Sequence, residues 1–193
     1  MILVIDCCIR GEKSATKKLY ESYLHTLDKN RETETVVLKE LSIAPLNTEE
    51  VELREQLVKS GNLQHEMFRL ARQFKEAEEI VIAAPYWNLS FPSLLKIYFE
   101  HVAVRGLTYD YEGNRCIGYC KAGKLSYFST CGRYIGGRHM GAEYVKAFAY
   151  MLGIRETQAF VIEGMDIDVS KREEILGQGI KIRRMLQEMK VIK

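Results

Sequence analysis

The chain predicts an α/β fold, a parallel sheet with helices on both faces, and three observations predict it. Short apolar runs alternate with amphipathic segments five times along the 193 residues, which is the pattern of successive strand and helix units. The run Ile80-Val81-Ile82-Ala83-Ala84 is apolar throughout, as a strand covered on both faces must be. It ends abruptly in Pro85-Tyr86-Trp87-Asn88, and open α/β sheets bind their ligands beyond the carboxyl ends of such strands.

Met1 to Ile5 reads as the first strand, followed by a helix over Ser14 to Asp28 that aligns Leu19, Tyr23, Leu24 and Leu27 on one face. Thr35 to Leu38 is a second, shorter strand. Asn47-Thr48 gives a cap before a helix over Glu49 to Ser60. Gly61 separates that helix from one over Asn62 to Glu78, where Leu63, Met67, Leu70, Ala71 and Phe74 keep helical spacing. Ile80 to Ala84 is strand three. Pro92 suits the first turn of a helix that runs to about Val104 and buries Leu94, Leu95, Tyr98, Phe99 and Val102. Tyr109 to Tyr119, turning at Glu112-Gly113-Asn114, reads as a small hairpin, an excursion over about 108–121. Leu125 to Ser129 is strand four, Gly141 to Leu152 a helix, Thr157 to Ile162 strand five and Ser170 to Lys190 the last helix. Without repeats, linkers or low-complexity segments, residues 1–193 are expected to form a single domain.

Apolar residues make up 47% and charged residues 28%, enough for a full core. The 28 basic and 26 acidic side chains are spread evenly, so the net charge of +2 argues against a nucleic-acid partner. No stretch has the length of a membrane span, and the first residues carry no signal-peptide pattern, so no membrane insertion and a cytoplasmic location are expected. The five cysteines lack the spacing of a disulfide framework or zinc site, which suits a reducing compartment, and no metal is expected.

Three loops follow strands one, three and four. The first, Asp6 to Thr16, ends in small hydroxyl residues at a helix start. Unpaired amides and the partial positive charge there would hold a phosphate, with Ser14 and Thr16 donating hydroxyls and Arg10 closing over it. Alone, the loop is equally an ordinary cap by Ser14 with Arg10 in solvent, and it has neither the GK[ST] ending nor the GxGxxG of nucleotide folds. The second, Pro85 to Pro92, offers flat rings and an amide to a planar ligand, or a lid of Tyr86, Trp87 and Phe91 on the core. The third, Ser129 to His139, has glycines that let backbone amides approach a ligand, or that make a flexible surface loop. By itself, His139 reads as a solvent-facing side chain and Tyr134 as a packing one.

These residues together resemble the flavodoxin-like NAD(P)H-dependent FMN oxidoreductases, in particular the azoreductase and quinone reductase group. The most specific likeness is Ala84-Pro85-Tyr86-Trp87-Asn88-Leu89-Ser90-Phe91-Pro92-Ser93-Leu94-Leu95-Lys96, similar to the family's APMYNF-x-x-P-x-x-LK pattern. It continues through Tyr98-Phe99-Glu100 and Arg105-Gly106-Leu107-Thr108-Tyr109, and the resemblance as a whole covers nearly the entire chain. It implies a flavodoxin-like three-layer sandwich, with a five-stranded parallel sheet in order 2-1-3-4-5 whose switch point lies between strands one and three.

The resemblance further implies that Arg10, Ser14 and Thr16 hold the FMN phosphate and that Tyr86, Trp87, Asn88 and Leu89 line the flavin. Thr130, Cys131 and Gly132 fall where the family has a TSRGG-like loop against the edge of the ring. Tyr134 and His139 resemble the tyrosine and histidine that quinone reductases aim at flavin and substrate, as auxiliary catalytic groups. Cys7 and Cys8 stand where relatives often have serine, and Cys131 where arginine is common. The implied reaction is ping-pong: NADH or NADPH reduces FMN, then a quinone, azo compound or similar small acceptor takes the electrons. FAD is a lesser alternative to FMN, and a homodimer with shared sites is expected, for which Tyr109, Tyr111 and Tyr119 are candidate contacts. The alternative is a flavodoxin-type electron carrier, although the acidic surface and T-x-T-G-x-T loop of that group are missing. An iron–sulfur flavoprotein would need a compact cysteine cluster, and a cofactor-free binding protein would purify without flavin.

Overall fold

A computed structural model describes the backbone of residues 1–191 and the side chains of residues 1–185. Its strands in chain order are β1 (Ile2–Asp6), β2 (Thr33–Val37), β3 (Glu79–Ala83), β4 (Tyr109–Glu112), β5 (Arg115–Gly118), β6 (Lys124–Thr130) and β7 (Glu156–Ile162). Its helices are α1 (Ala15–Leu24), α2 (Thr48–Lys59), α3 (Arg69–Glu76), α4 (Ser93–Val102), α5 (Met140–Met151) and α6 (Arg172–Val191). Five strands form one parallel sheet in the order β2-β1-β3-β6-β7, with β4 and β5 paired separately as an antiparallel hairpin. Leaving the hairpin aside, that is the expected 2-1-3-4-5. The register sets Asp6 beside Ala83 and Ala83 beside Phe128, so the carboxyl ends of β1, β3 and β6 lie level at one edge.

Alternation along the strands divides the core in two. Leu3, Ile5, Ile80, Ile82, Leu125 and Tyr127 face α3, α4 and α5, where Phe74, Tyr98, Phe99 and Phe148 meet them. Ile2, Val4, Val81, Ala83 and Phe128 face α1 and α6, against Leu19, Tyr20, Tyr23 and Leu176. Each central strand residue is thus buried whichever way it points, which is why the runs carry no polar alternation. α2 buries no residue of its own, is held by an Asn47 and Glu50 capping box, and shields a satellite cluster around Phe68 and Val104.

Two helices are shorter than their apolar spacing suggests. α1 stops at Leu24 instead of Asp28, because Thr26 and Leu27 bond back three residues to Tyr23 and Leu24 and Asp28 turns the chain by accepting from Asn30 N–H. α3 begins at Arg69 after a single turn over Glu66–Phe68, since Gly61 has a φ of 72° and His65 Nδ1 caps the Met67 amide. The hairpin lies on the end of α5. Cys120 N–H donates to Leu152 O at 3.1 Å, and a Cβ on Gly118 would collide with the Leu152 and Gly153 backbone, so this crossing admits only glycine.

At the opposite edge of the sheet, Glu79 is 7% exposed and its charge is met from two sides. Tyr23 OH donates to Oε1 at 2.7 Å and Arg31 Nη1 to Oε2 at 2.6 Å, while Lys124 Nζ donates to the Tyr23 hydroxyl at 3.2 Å. A buried carboxylate that loses one of its donors keeps the full desolvation cost. Tyr23→Phe retains the ring contacts with Phe128 and Phe160 and is expected to lower the unfolding free energy by about 1–2 kcal/mol. Urea titration of the two proteins measures it.

Candidate functional site

The three loops meet at Thr130, the last residue of β6. Its hydroxyl and that of Thr16 lie 2.7 Å apart, joining the third loop to the first. Its carbonyl accepts from Tyr86 N–H at 3.1 Å, joining the third loop to the second. Below them, Cys7 N–H donates to Ala83 O and Ala84 N–H to Phe128 O. The loops therefore converge at the switch point between β1 and β3, where sheets of this order bind ligands in a crevice, over a floor fixed by hydrogen bonds.

In the first loop, Ser14 caps α1 by accepting from Lys17 N–H, and the first backbone bond of the helix runs from Lys18 N–H to Ser14 O. The amides of Ala15 and Thr16 precede that bond and point out of the helix start. Arg10 and Lys13 are exposed beside them. A further cation, Lys39, reaches in from the turn after β2, its Nζ 3.0 Å from where a Gly11 Cβ would stand. Thr16 has no exposure and spends its hydroxyl on Thr130, so it braces the loop from beneath where a direct phosphate contact was expected. Asp6 is likewise turned inward, accepting from Cys8 N–H at 2.7 Å and Tyr20 OH at 3.0 Å.

The second loop is a two-residue turn in which Trp87 N–H donates to Ser90 O and Ser90 N–H to Trp87 O. Asn88 and Leu89 carry φ of 47° and 71°, the left-handed geometry of a type I′ turn that usually employs Asn-Gly. Asparagine suits the first position, whereas leucine in the second stores strain. Trp87 and Leu89 are 43% and 63% exposed, Asn88 is exposed, and Tyr86 is half-buried, so this loop projects a flat apolar edge with an amide. Phe91 instead joins the core.

In the third loop, Cys131 is fully buried and its amide is spent on Ile162 O, so it turns away from the crevice. Gly132 is pressed against Asp166, which is ion-paired with Arg172. Tyr134 is 76% exposed, its ring resting on Gly164. His139, expected in solvent, is 5% exposed: it caps α5, with Nδ1 accepting from Ala142 N–H at 3.1 Å and Nε2 lying 3.0 Å from Ser129 Oγ. Burial pulls its pKa below the usual histidine value. Both ring nitrogens are thereby occupied, which leaves none to give a proton to a substrate. Of the two auxiliary groups, only Tyr134 is exposed.

The profile of the family described as flavodoxin-like fold matches residues 1–184. The chain belongs to this family. It is 31% identical to FMN-dependent NADH:quinone oxidoreductase 2 of Clostridium acetobutylicum, covering 87% of this chain and 88% of that one. It is 30% identical to the FMN-dependent NADH:quinone oxidoreductase of Coprothermobacter proteolyticus, over 84% and 86% of the two chains. Among solved structures, the azoreductase from Bacillus anthracis shares the fold with a TM-score of 0.81 at 22% identity, covering 93% of this chain and 94% of that one.

The donors present fit a flavin mononucleotide in kind. Free amides, the Ser14 hydroxyl and cations lie at one end of the crevice, and rings with an amide at the other. The thiols beside it are quiet: burial, together with Asp6, pushes Cys7 up to about 12, and burial with Glu163 does the same for Cys131. Cys8 moves in the same direction. Lys39 was missed in the sequence because nothing in its local pattern marks it; the 2-1-3 strand order, which sets the end of β2 beside the first loop, is the signal that could have found it. Leu89→Gly is expected to relieve the turn and raise the unfolding free energy by about 1 kcal/mol, while weakening flavin binding through the lost apolar edge. Paired urea and flavin-fluorescence titrations test both halves.

Proposed function

We propose that the chain is an FMN-dependent NADH:quinone oxidoreductase that also accepts azo compounds. The observation that carries this reading is the anion-receptive start of α1 opening beside a projecting aromatic turn at the switch point of the sheet. The 31% identity over 87% of the chain to an oxidoreductase of that name supports it.

Arg10, Lys39, the Ser14 hydroxyl and the Ala15 and Thr16 amides would hold the phosphate. Tyr86, Trp87, Asn88 and Leu89 would support the ring system, with Gly132 at its edge. When bound, FMN would supply two-electron redox chemistry between NADH and the acceptor. The chain's part is to fix the crevice through Thr130 and keep one side of the site open. The apolar side chains of Trp87, Leu89, Tyr134 and Met140, each 43% to 76% exposed, give flat donors and acceptors a surface to lie on. The proton that accompanies reduction would come from water at that open side, and the exposed Tyr134 would be its auxiliary donor.

The reading includes a homodimer. A groove of about 370 Å³ between α4 and α5, lined by Phe99, Tyr144, Phe148 and Met151, supports it, as do the exposed rings of Tyr111, Tyr144 and Tyr150 nearby. Tyr109 is partly buried against the core, so the more exposed Tyr111 and Tyr119 are the better contacts of the hairpin. Light scattering of the eluted protein is expected to give the mass of two chains, and a single-chain mass removes the shared site.

The purified protein is expected to bind FMN, to bleach under anaerobic NADH and to recover its visible bands with menadione. Flavin that ignores NADH would make it an electron carrier, and no flavin binding would overturn the assignment. Arg10→Ala is expected to weaken FMN binding about tenfold, the effect of one charge-assisted contact, and to leave riboflavin binding unchanged. Flavin-fluorescence titration with both ligands reads the difference.

A further inference from the structure

His139 does more than end a helix. The amide of the next residue, Met140, donates to Leu89 O at 3.1 Å, so the start of α5 is bonded directly to the strained turn. The His139 ring stands edge-on to Tyr86 with centroids 4.9 Å apart and edge-on to Tyr127 at 5.6 Å. A Cβ on Gly141 would lie 3.0 Å from Phe91 Cδ1 and 3.1 Å from both Ser90 C and His139 Cε1, so the second loop and the helix start are in close contact here. Because Ala142 N–H donates to Nδ1, the neutral ring must carry its proton on Nε2 and donate to Ser129 Oγ. Ser129 faces the Tyr127 hydroxyl, which lies 3.5 Å from Ala84 O at the root of the second loop.

We propose that neutral His139 is a positioning residue, a clamp that holds the Trp87–Ser90 turn against α5, so that its protonation releases the turn and weakens flavin binding. The link to flavin rests on the function proposed above; the clamp itself rests on the hydrogen bonds. A proton on Nδ1 would face the Ala142 N–H donor to donor and break the cap. The ring is enclosed by the Tyr86 and Tyr127 rings, by Ser129 and by the helix start, where the partial charge is positive and disfavours a proton on the ring. Glu163, at the end of β7 and accepting from Ile135 N–H, is the carboxylate that acts the other way. Burial outweighs it, holding the folded pKa below 6.5. The unfolded chain therefore binds this proton first as pH falls through 6.5, and stability is lost from there down to the folded value.

The test compares FMN affinity of the wild type and His139→Asn between about pH 8 and about pH 5. Asparagine can still cap the helix but does not titrate. The FMN phosphate itself titrates near pH ~6, so the reading is the difference between the two proteins. The wild type is expected to lose about fivefold more affinity than the variant across that range, the effect of one helix cap. Parallel pH profiles overturn the proposal. Long-range proton–nitrogen NMR of the four histidines in the wild-type protein gives a second reading that needs neither a variant nor flavin. An Nε2–H tautomer, with Met140 amide exchange rising as His139 protonates, supports the clamp; an Nδ1–H tautomer overturns it. If the NMR signature is present and FMN binds at no pH, the clamp stands and the oxidoreductase reading fails.

Discussion

The central strands have to be kept from water on both faces at once, and the rest of the molecule follows from that constraint. β1, β3 and β6 have no face to offer a ligand, since α1 and α6 cover one side and α3, α4 and α5 the other. Chemistry is left to the strand ends. At one edge the buried Glu79 and its donors lock the sheet closed. At the other, three loops emerge with unpaired amides, strained backbone and exposed rings. The contrast between a satisfied edge and an unsatisfied one is what distinguishes the site from the scaffold.

Thr130 is the point through which that edge becomes one unit. A threonine hydroxyl both donates and accepts, and the Thr130 carbonyl engages the Tyr86 amide while its side chain engages Thr16. The phosphate-type loop and the aromatic loop thus share a single anchor, although 114 residues separate the two threonines. Such an arrangement fixes the spacing between the two loops that would meet the two ends of an extended ligand. It agrees with chemistry carried by a cofactor, where the protein supplies placement and polarity.

The central strands were legible in the sequence because burial on both faces writes an unbroken apolar run, whereas their order came only from the family resemblance. The ends of α1 and α3 were not, since they are decided by single hydrogen bonds at Thr26, Asp28 and His65 that apolar spacing does not encode. The aromatic turn stood out through its composition, yet the left-handed backbone at Leu89 runs against the local preference of leucine, and the reciprocal Trp87–Ser90 bonds and the Met140 contact that hold it are not written in the residue itself. Thr16, Cys131 and His139 lie in the loops where the sequence put them but face inward, because which side of a loop is buried depends on elements far along the chain. Lys39 reaches the site from a neighbouring strand, which only topology reveals.

The buried thiols around the crevice have a chemical consequence. Cys7 and Cys131 are enclosed and hold their protons far above neutral pH, and the thiolate, not the thiol, is the nucleophile. Quinones are soft electrophiles that add to thiolates. A site that handles them beside reactive cysteines would be consumed by its own substrates. Here Cys7 and Cys131 serve as small apolar packing groups, enclosed and held as thiols, so neither is offered as a nucleophile to an electrophile in the crevice.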